Sequence, residues 1–288
     1  MSNEILDWSV IDYKSTVEML LQQRGSKFRN AVMTDSFHGK SGVAVNQIGA
    51  VNAQKRTTRH ADTPLIETPQ DRRWVYPVDY EWADLIDDQD KLRIIADPTS
   101  PYAVNGAMAL GRAMDDEIIT AATGTSKTGE DGSTSTTLPA AQTATTTAGG
   151  LTIAKLREAM QLLIAAEVDV DNEELYCAIG AQQHDDLLGE TQAVNLDYTN
   201  TPVLVNGRIK SFMGFNFIDS QRLALSGTNR TVVCWAKSGI VLGVWNDIEA
   251  QISERADKSY STQVYVKGTF GATRTQEEKV VAITCSEA

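Results

Sequence analysis

The run Gly124-Thr125-Ser126-Lys127-Thr128 is the stretch nearest in residue type to a phosphate cradle. A P-loop needs Gly directly before the Lys and another Gly five residues earlier, so that backbone amides can close around phosphate. Those places hold Ser126 and Ala121, and the pattern before them is helical, so no nucleotide site is expected. Asp169-Val170-Asp171-Asn172-Glu173 alternates acids in the manner of a calcium loop. Counting from Asp169, the sixth place is Glu174, where such a loop needs Gly, and the twelfth is Gly180, where it needs a bidentate Glu. A solvated turn between helix and strand is expected there instead.

Nucleophilic and acid–base chemistry fare no better. His38, His60 and His184 are scattered, and no GxSxG elbow presents a serine. The acid pairs Asp87-Asp88 and Asp115-Asp116 have the residue types of a general acid and base. Adjacent acids on a helix or turn point in different directions, so both pairs read as solvated faces. Cys177, Cys234 and Cys285 share no CxxC spacing and have no His at ligand distance, which argues against a metal site. Cys177 and Cys234 sit in apolar strand-like runs, where buried free thiols are common, and an odd count fits a reducing compartment. No catalytic residue, cofactor or metal is expected.

The elements that could have positioned such chemistry form a mixed α+β pattern rather than alternating βα units. The chain has 288 residues, 42% hydrophobic and 22% charged, enough for a sizeable core. Near the start, Val17, Leu20, Leu21 and Phe28 recur at helical spacing, interrupted by Gly25. Two strand-like runs follow, 42–51 and 73–82, the second carrying Pro77 as an edge marker. Pro98 and Pro101 open the longest helix, over 98–123, whose stripe is Ala103, Ala107, Leu110, Met114, Ile118 and Ala122. Residues 124–150 are a Thr-, Ser- and Gly-rich segment, expected as a flexible hairpin or contact loop outside the core. Thr152 caps a helix running to about residue 169, with Leu151 and Leu156 as a hydrophobic staple. Beyond it are a strand at 175–180, a helix at 181–188, a strand pair within 207–220, and strands at 231–236, 240–245, 263–267 and 279–284.

Charge is unevenly distributed along this pattern. The formal net charge is −12, a poor endowment for gripping nucleic acid, where Lys and Arg must neutralise phosphates. The stretch between the two early strands is basic near its start, at Lys55, Arg56 and Arg59, and Arg72 and Arg73 follow its end. An acidic corner comes next, at Asp79, Glu81, Asp84, Asp87, Asp88 and Asp90. A long two-stranded arm cannot bury its own surface and is marginal alone in water, so it must lie on something. The charge separation suits a basic tip landing on the acidic corner of another copy. Lys55, Arg56, Arg59, Arg72, Arg73, Asp84, Asp87 and Asp88 are the candidate intersubunit contacts, a role that leans mostly on the resemblance given below, and the alternative is a solvated loop with a mixed-charge face. No signal peptide is read at Met1-Ser2-Asn3-Glu4, and no apolar run is long enough to span a bilayer.

The order of elements, together with Arg72-Arg73, residues 80–90, Asp97-Pro98-Thr99-Ser100-Pro101-Tyr102 and residues 112–119, resembles the HK97-fold major capsid proteins of tailed bacteriophages. The resemblance covers nearly the whole chain through diffuse motifs. It implies an N-terminal arm over 1–39, an extended hairpin loop over 40–85 that overlaps a neighbouring subunit, and a peripheral domain with spine helix and polar loop over 86–150. It further implies an axial domain over 151–255 and C-terminal strands over 256–288 that return to the peripheral domain. The implied partners are copies of itself in hexamers and pentamers, portal and scaffold or decoration proteins, and packaged double-stranded DNA bound without sequence specificity. The implied setting is the virion, assembled in the host cytoplasm, with no membrane. Some relatives crosslink subunits through a Lys and an Asn, but no motif here assigns such a pair. An encapsulin-like nanocompartment shell shares the fold. A cytoplasmic hydrolase with a dispersed site is the alternative of another class.

Overall fold

One helix of 25 residues, α1 (Thr99–Thr123), organises the first half of the structure. The computed structural model describes residues 21–59, 65–86, 99–144, 149–190, 204–205 and 208–287. Before α1 come β1 (Met33–Ser36), β2 (Gly42–Ile48), β3 (Gln70–Val75) and β4 (Val78–Ile86). After it come β5 (Ser126–Thr128), β6 (Thr134–Thr136), β7 (Thr143–Ala144), α2 (Ile153–Ala165), β8 (Leu175–Ile179) and α3 (Ala181–Gly189). The remaining strands are β9 (Leu204–Val205), β10 (Arg208–Ile209), β11 (Ser211–Phe212), β12 (Phe215–Asp219), β13 (Leu225–Ser226), β14 (Asn229–Ala236), β15 (Ile240–Arg255), β16 (Ser261–Arg274) and β17 (Val280–Ser286).

The strands sort into three main sheets. The order β1-β15-β16-β4 makes the sheet on which α1 lies, with α1 packed mainly on β16. From Ser261 to Phe270 the strand β16 largely alternates buried and half-buried residues, and Val264, Val266 and Phe270 are fully buried. Gly106 of α1 allows the close approach, since a Cβ there would stand 2.5 Å from the Trp82 ring. Tyr80 stacks on Phe270 at 4.9 Å and donates its hydroxyl to Glu117 at 2.5 Å; burial first, and then that bond, raise the phenol's pKa. A second sheet, β11-β12-β8-β14-β17-β7 with β13 beside β14, carries the main core with α2. Met114 and Ile118 of α1, Leu156 and Leu163 of α2, and Ile179, Trp235 and Ile283 of the sheet belong to that one apolar cluster. The third sheet, β2-β3-β5-β6, is the projecting hairpin and its support.

Several sequence expectations are corrected here. The run 73–82 is not one strand. It breaks at Tyr76-Pro77, so that β3 pairs with β2 and β5 while β4 pairs with β16. Proline has no amide to continue the ladder, and the chain uses that gap to cross between sheets. The crossing passes directly over β16, where a Cβ at Gly271 would meet the Tyr76 carbonyl oxygen at 2.1 Å. Replacing Gly271 by alanine is expected to lower stability by about 1–3 kcal/mol through overpacking against backbone that cannot give way, read as a lower denaturant midpoint at unchanged slope.

The polar segment 124–150 contributes three short strands, and Ala144 of β7 is fully buried in the core, so its low-complexity composition did not keep it outside. The division at residue 255 is not where the sheets divide. Strand β15 runs unbroken from 240 to 255 alongside β16, whereas the last strand, β17, pairs with β14 and β7 in the other sheet. The helix α2 stops at Ala165, four residues earlier than read from sequence, although Thr152 does cap it by accepting from the Lys155 amide. Residues 21–28 are not helical, and Gly25 takes φ +67°, a left-handed step that ends any helical run; Val17 and Leu20 lie outside the described residues.

Candidate assembly interface

The hairpin of β2 and β3 is antiparallel from Gly42↔Val75 to Ile48↔Gln70, and the Gly49 amide donates to the Pro69 carbonyl at 2.8 Å as a last rung. Beyond that rung residues 50–59 and 65–69 form no strand, and their side chains are exposed. Lys55, Arg56 and Arg59 all lie here, with the Arg56 Nε donating to the nearby Thr58 carbonyl. The tip is apolar as well as basic. Leu65 is 98% exposed and Ile48 73%, with Val51 and Ile66 also open. Exposed aliphatic side chains gathered on one element are the kind of surface that a partner can cover. The sequence reading found the cations of this tip and passed over its aliphatics.

The base of the hairpin is fastened to the body by charge. Arg73 donates both terminal nitrogens to Glu277, each at 2.7 Å, and both residues are 6% exposed. Gln47 of β2 accepts from Arg73 Nε at 3.4 Å and donates to the Thr275 carbonyl at 2.6 Å, so both hairpin strands are tied to the link after β16. Arg274, fully buried, lies 3.6 Å from Glu277. It donates to the carbonyls of Ala121, Ala122 and Gly124, which terminate α1, and to that of Thr136 next to them. A guanidinium there satisfies carbonyls the helix leaves open and faces the negative end of its dipole. Burial holds the Arg274 pKa below its ordinary value, with Glu277 countering and Arg73 adding to the effect.

The candidate contact residues thus separate. Lys55, Arg56, Arg59 and Arg72 are exposed on the hairpin, and Asp84 is exposed on β4. Arg73 is turned inward, where its charge is neutralised by its own chain. Asp87 and Asp88 lie outside the described residues. Glu277, Arg274 and Gln47 were not singled out from sequence, because nothing local marks a pair whose members are 204 positions apart.

The acid pair Asp115-Asp116 is also corrected. Asp115 is fully buried and accepts from the amides of Lys27 and Phe28, from Ser26 Oγ and from Gln23 Nε2. Asp116 does face solvent, paired with Arg222. Among the described residues no group of His, Cys, Asp and Glu side chains is placed to hold a metal ion, and no helix is long and apolar enough to cross a membrane. His38 is exposed beside the Phe37 carbonyl, and His184 accepts from the Ile209 amide; His60 lies outside the described residues.

Known proteins supply the context. A family model described as phage capsid protein matches residues 5–287. Among solved structures, the capsid of cyanophage P-SCSP1u superposes with a TM-score of 0.71 at 16% identity, over 100% of this chain and 96% of that one. A structure from Mycobacterium phage Che8 gives 0.72 at 15% identity, over 97% and 98%. The mature capsid of bacteriophage PhiM1 gives 0.72 at 13%, over 97% and 92%. A search of curated proteins finds no match. At such identities the superpositions establish the fold, which is HK97-like, and the family model covers nearly every residue of it. With a projecting basic and apolar hairpin, a long spine helix and two sheets packed about it, the chain belongs to the phage capsid protein family.

Proposed function

We propose that this protein is the major capsid subunit of a tailed phage, and that copies of it close into an icosahedral shell of hexamers and pentamers around packaged double-stranded DNA. The observation that carries the reading is the hairpin tip, where Ile48, Val51, Leu65 and Ile66 stand open beside Lys55, Arg56 and Arg59. A second copy is the natural cover. Aliphatic burial supplies affinity, at about 25 cal/mol per Å² of area removed from water. The cations supply register against an acidic neighbour surface, for which Asp84, Asp87 and Asp88 remain our candidates. Arg72 belongs with the tip cations, and Arg73 serves the hairpin's own anchorage. The subunit is structural and has no catalytic role. Its surplus of acids repels DNA phosphates, which lets the duplex pack without being held. Portal and scaffold or decoration proteins complete the particle, which is built in the host cytoplasm.

The test is charge reversal at the tip. The double variant Arg56→Glu, Arg59→Glu is expected to leave the subunit folded, with an unchanged unfolding midpoint, because neither side chain touches the core. Shells seen by electron microscopy should fall at least tenfold, with material eluting as small species. Shells in normal yield would remove the tip from the interface.

A further inference from the structure

The second sheet holds a pair of thiols that the fold places as a bond not yet made. Cys177 on β8 and Cys234 on β14 are direct register partners in an antiparallel ladder, both fully buried, with sulfurs 3.1 Å apart. Residues directly opposite on antiparallel strands have Cα atoms about 4.5 or 5.5 Å apart, and both spacings fall within the roughly 4.4–6.8 Å that a disulfide spans. The backbone is therefore already in place, and only the sulfurs need to close, by about 1 Å, to the usual bond length near 2.05 Å. The third thiol is not a competitor. Cys285 on β17 is paired with Arg230, four residues along β14 from Cys234, or about 13 Å at 3.3 Å per residue.

We infer that Cys177 and Cys234 form a latent cross-strand disulfide, open in a reducing compartment and closed by exchange with a small-molecule disulfide once the protein leaves it. One cysteine, as thiolate, attacks a sulfur of the small disulfide and expels one thiolate, giving a mixed disulfide. The second cysteine attacks the protein sulfur of that mixed disulfide and expels the other. Two electrons pass to the oxidant, two small thiols leave, and the two cysteine protons go with them or to water. Burial pushes the Cys177 thiol well above its ordinary pKa, so it stays protonated in the closed sheet. The exchange therefore runs through transient opening of β8 from β14 and is slow. The bond closes a loop between residues 57 apart, restricting the unfolded chain without moving the folded one.

The experiment exposes the full chain, as purified and with its thiols reduced, to oxidised glutathione at rising temperature below the unfolding transition. It is then denatured in an alkylating agent, weighed intact and mapped by peptides. The expected result is one adduct, at Cys285, in place of three, with Cys177 and Cys234 in one linked peptide and three adducts restored by reductant. The thermal midpoint should rise by several degrees on oxidation. Cys285→Ala should keep that rise and Cys234→Ala should lose it. Three adducts after prolonged oxidation, a link that includes Cys285, or glutathione retained at Cys177 would each overturn the inference.

Discussion

Replacing Glu277 by alanine is expected to destabilise the chain by about 3–5 kcal/mol, because it leaves two buried guanidiniums without their shared carboxylate. Arg73 loses both of its 2.7 Å bonds and is 6% exposed, so water cannot take over the charge. Arg274 keeps its four carbonyl acceptors and loses the nearby anion that offsets its desolvation. Glu277→Gln should cost less, since the side chain keeps its shape and one acceptor. Joining Arg73→Met to Glu277→Leu should recover only the part of the loss that belongs to Arg73, because an apolar pair of similar volume has no desolvation penalty to offset while Arg274 still lacks its anion. Urea unfolding measures all three. A loss under about 1 kcal/mol for Glu277→Ala would mean that the cluster is hydrated and that the hairpin base is held by its backbone pairing alone. The variants also separate global stability from anchorage of the hairpin. With Arg73→Met and Glu277→Leu together, the subunit should fold while the hairpin is cleaved faster by protease, since both strands are tied to the body through this cluster.

What could be seen in the sequence was what repeats or punctuates locally. The α1 stripe recurs at helical spacing over about five turns, and Leu110, Met114, Ile118 and Ala122 are all buried where that spacing puts them. Thr152 announces α2 because capping is a local hydrogen bond. Pro77 was visible, but its meaning was not. An edge strand and a crossing between two sheets both tolerate a missing amide, and only the partners of β3 and β4 tell them apart. The strands in 124–150 were hidden because Thr and Ser carry little apolar signal, and their pairing is set by β3 and β17 rather than by their own composition. The hairpin tip was half legible. Its cations stood out by charge, whereas Leu65 and Ile66 lie inside a stretch that reads as polar, and only the structure shows them uncovered. The buried charges of the hairpin base were not legible at all, since burial of Arg or Glu depends on a partner far along the chain.

The two acids of the pair Asp115-Asp116 should respond very differently to the same substitution. Asp115→Ala is expected to cost about 2–4 kcal/mol, because it strands the amides of Lys27 and Phe28 and the Ser26 hydroxyl against a fully buried position. Phe28 is the reason these amides must stay put. Its ring is fully buried and meets Trp235 edge-on at 5.9 Å, while the Trp235 indole donates to the Ala31 carbonyl at 2.9 Å. Gly111 lets the segment lie this close to α1, with only 2.8 Å between a Cβ placed there and the Gly25 backbone. Asp115 therefore acts as an external cap for the chain entering the core, anchoring the segment 23–28 to the helix. Asp116→Ala removes only a partly exposed pair with Arg222, for which under about 1 kcal/mol is expected. Asp115→Asn should fall between the two, since it keeps one acceptor oxygen but turns an amide donor towards donors. Urea unfolding gives the ordering, and hydrogen exchange at the amides of 27 and 28 gives the mechanism. Equal losses for Asp115→Ala and Asp116→Ala, or unchanged protection at those amides, would show that the N-terminal segment is held by Phe28 burial and not by the carboxylate.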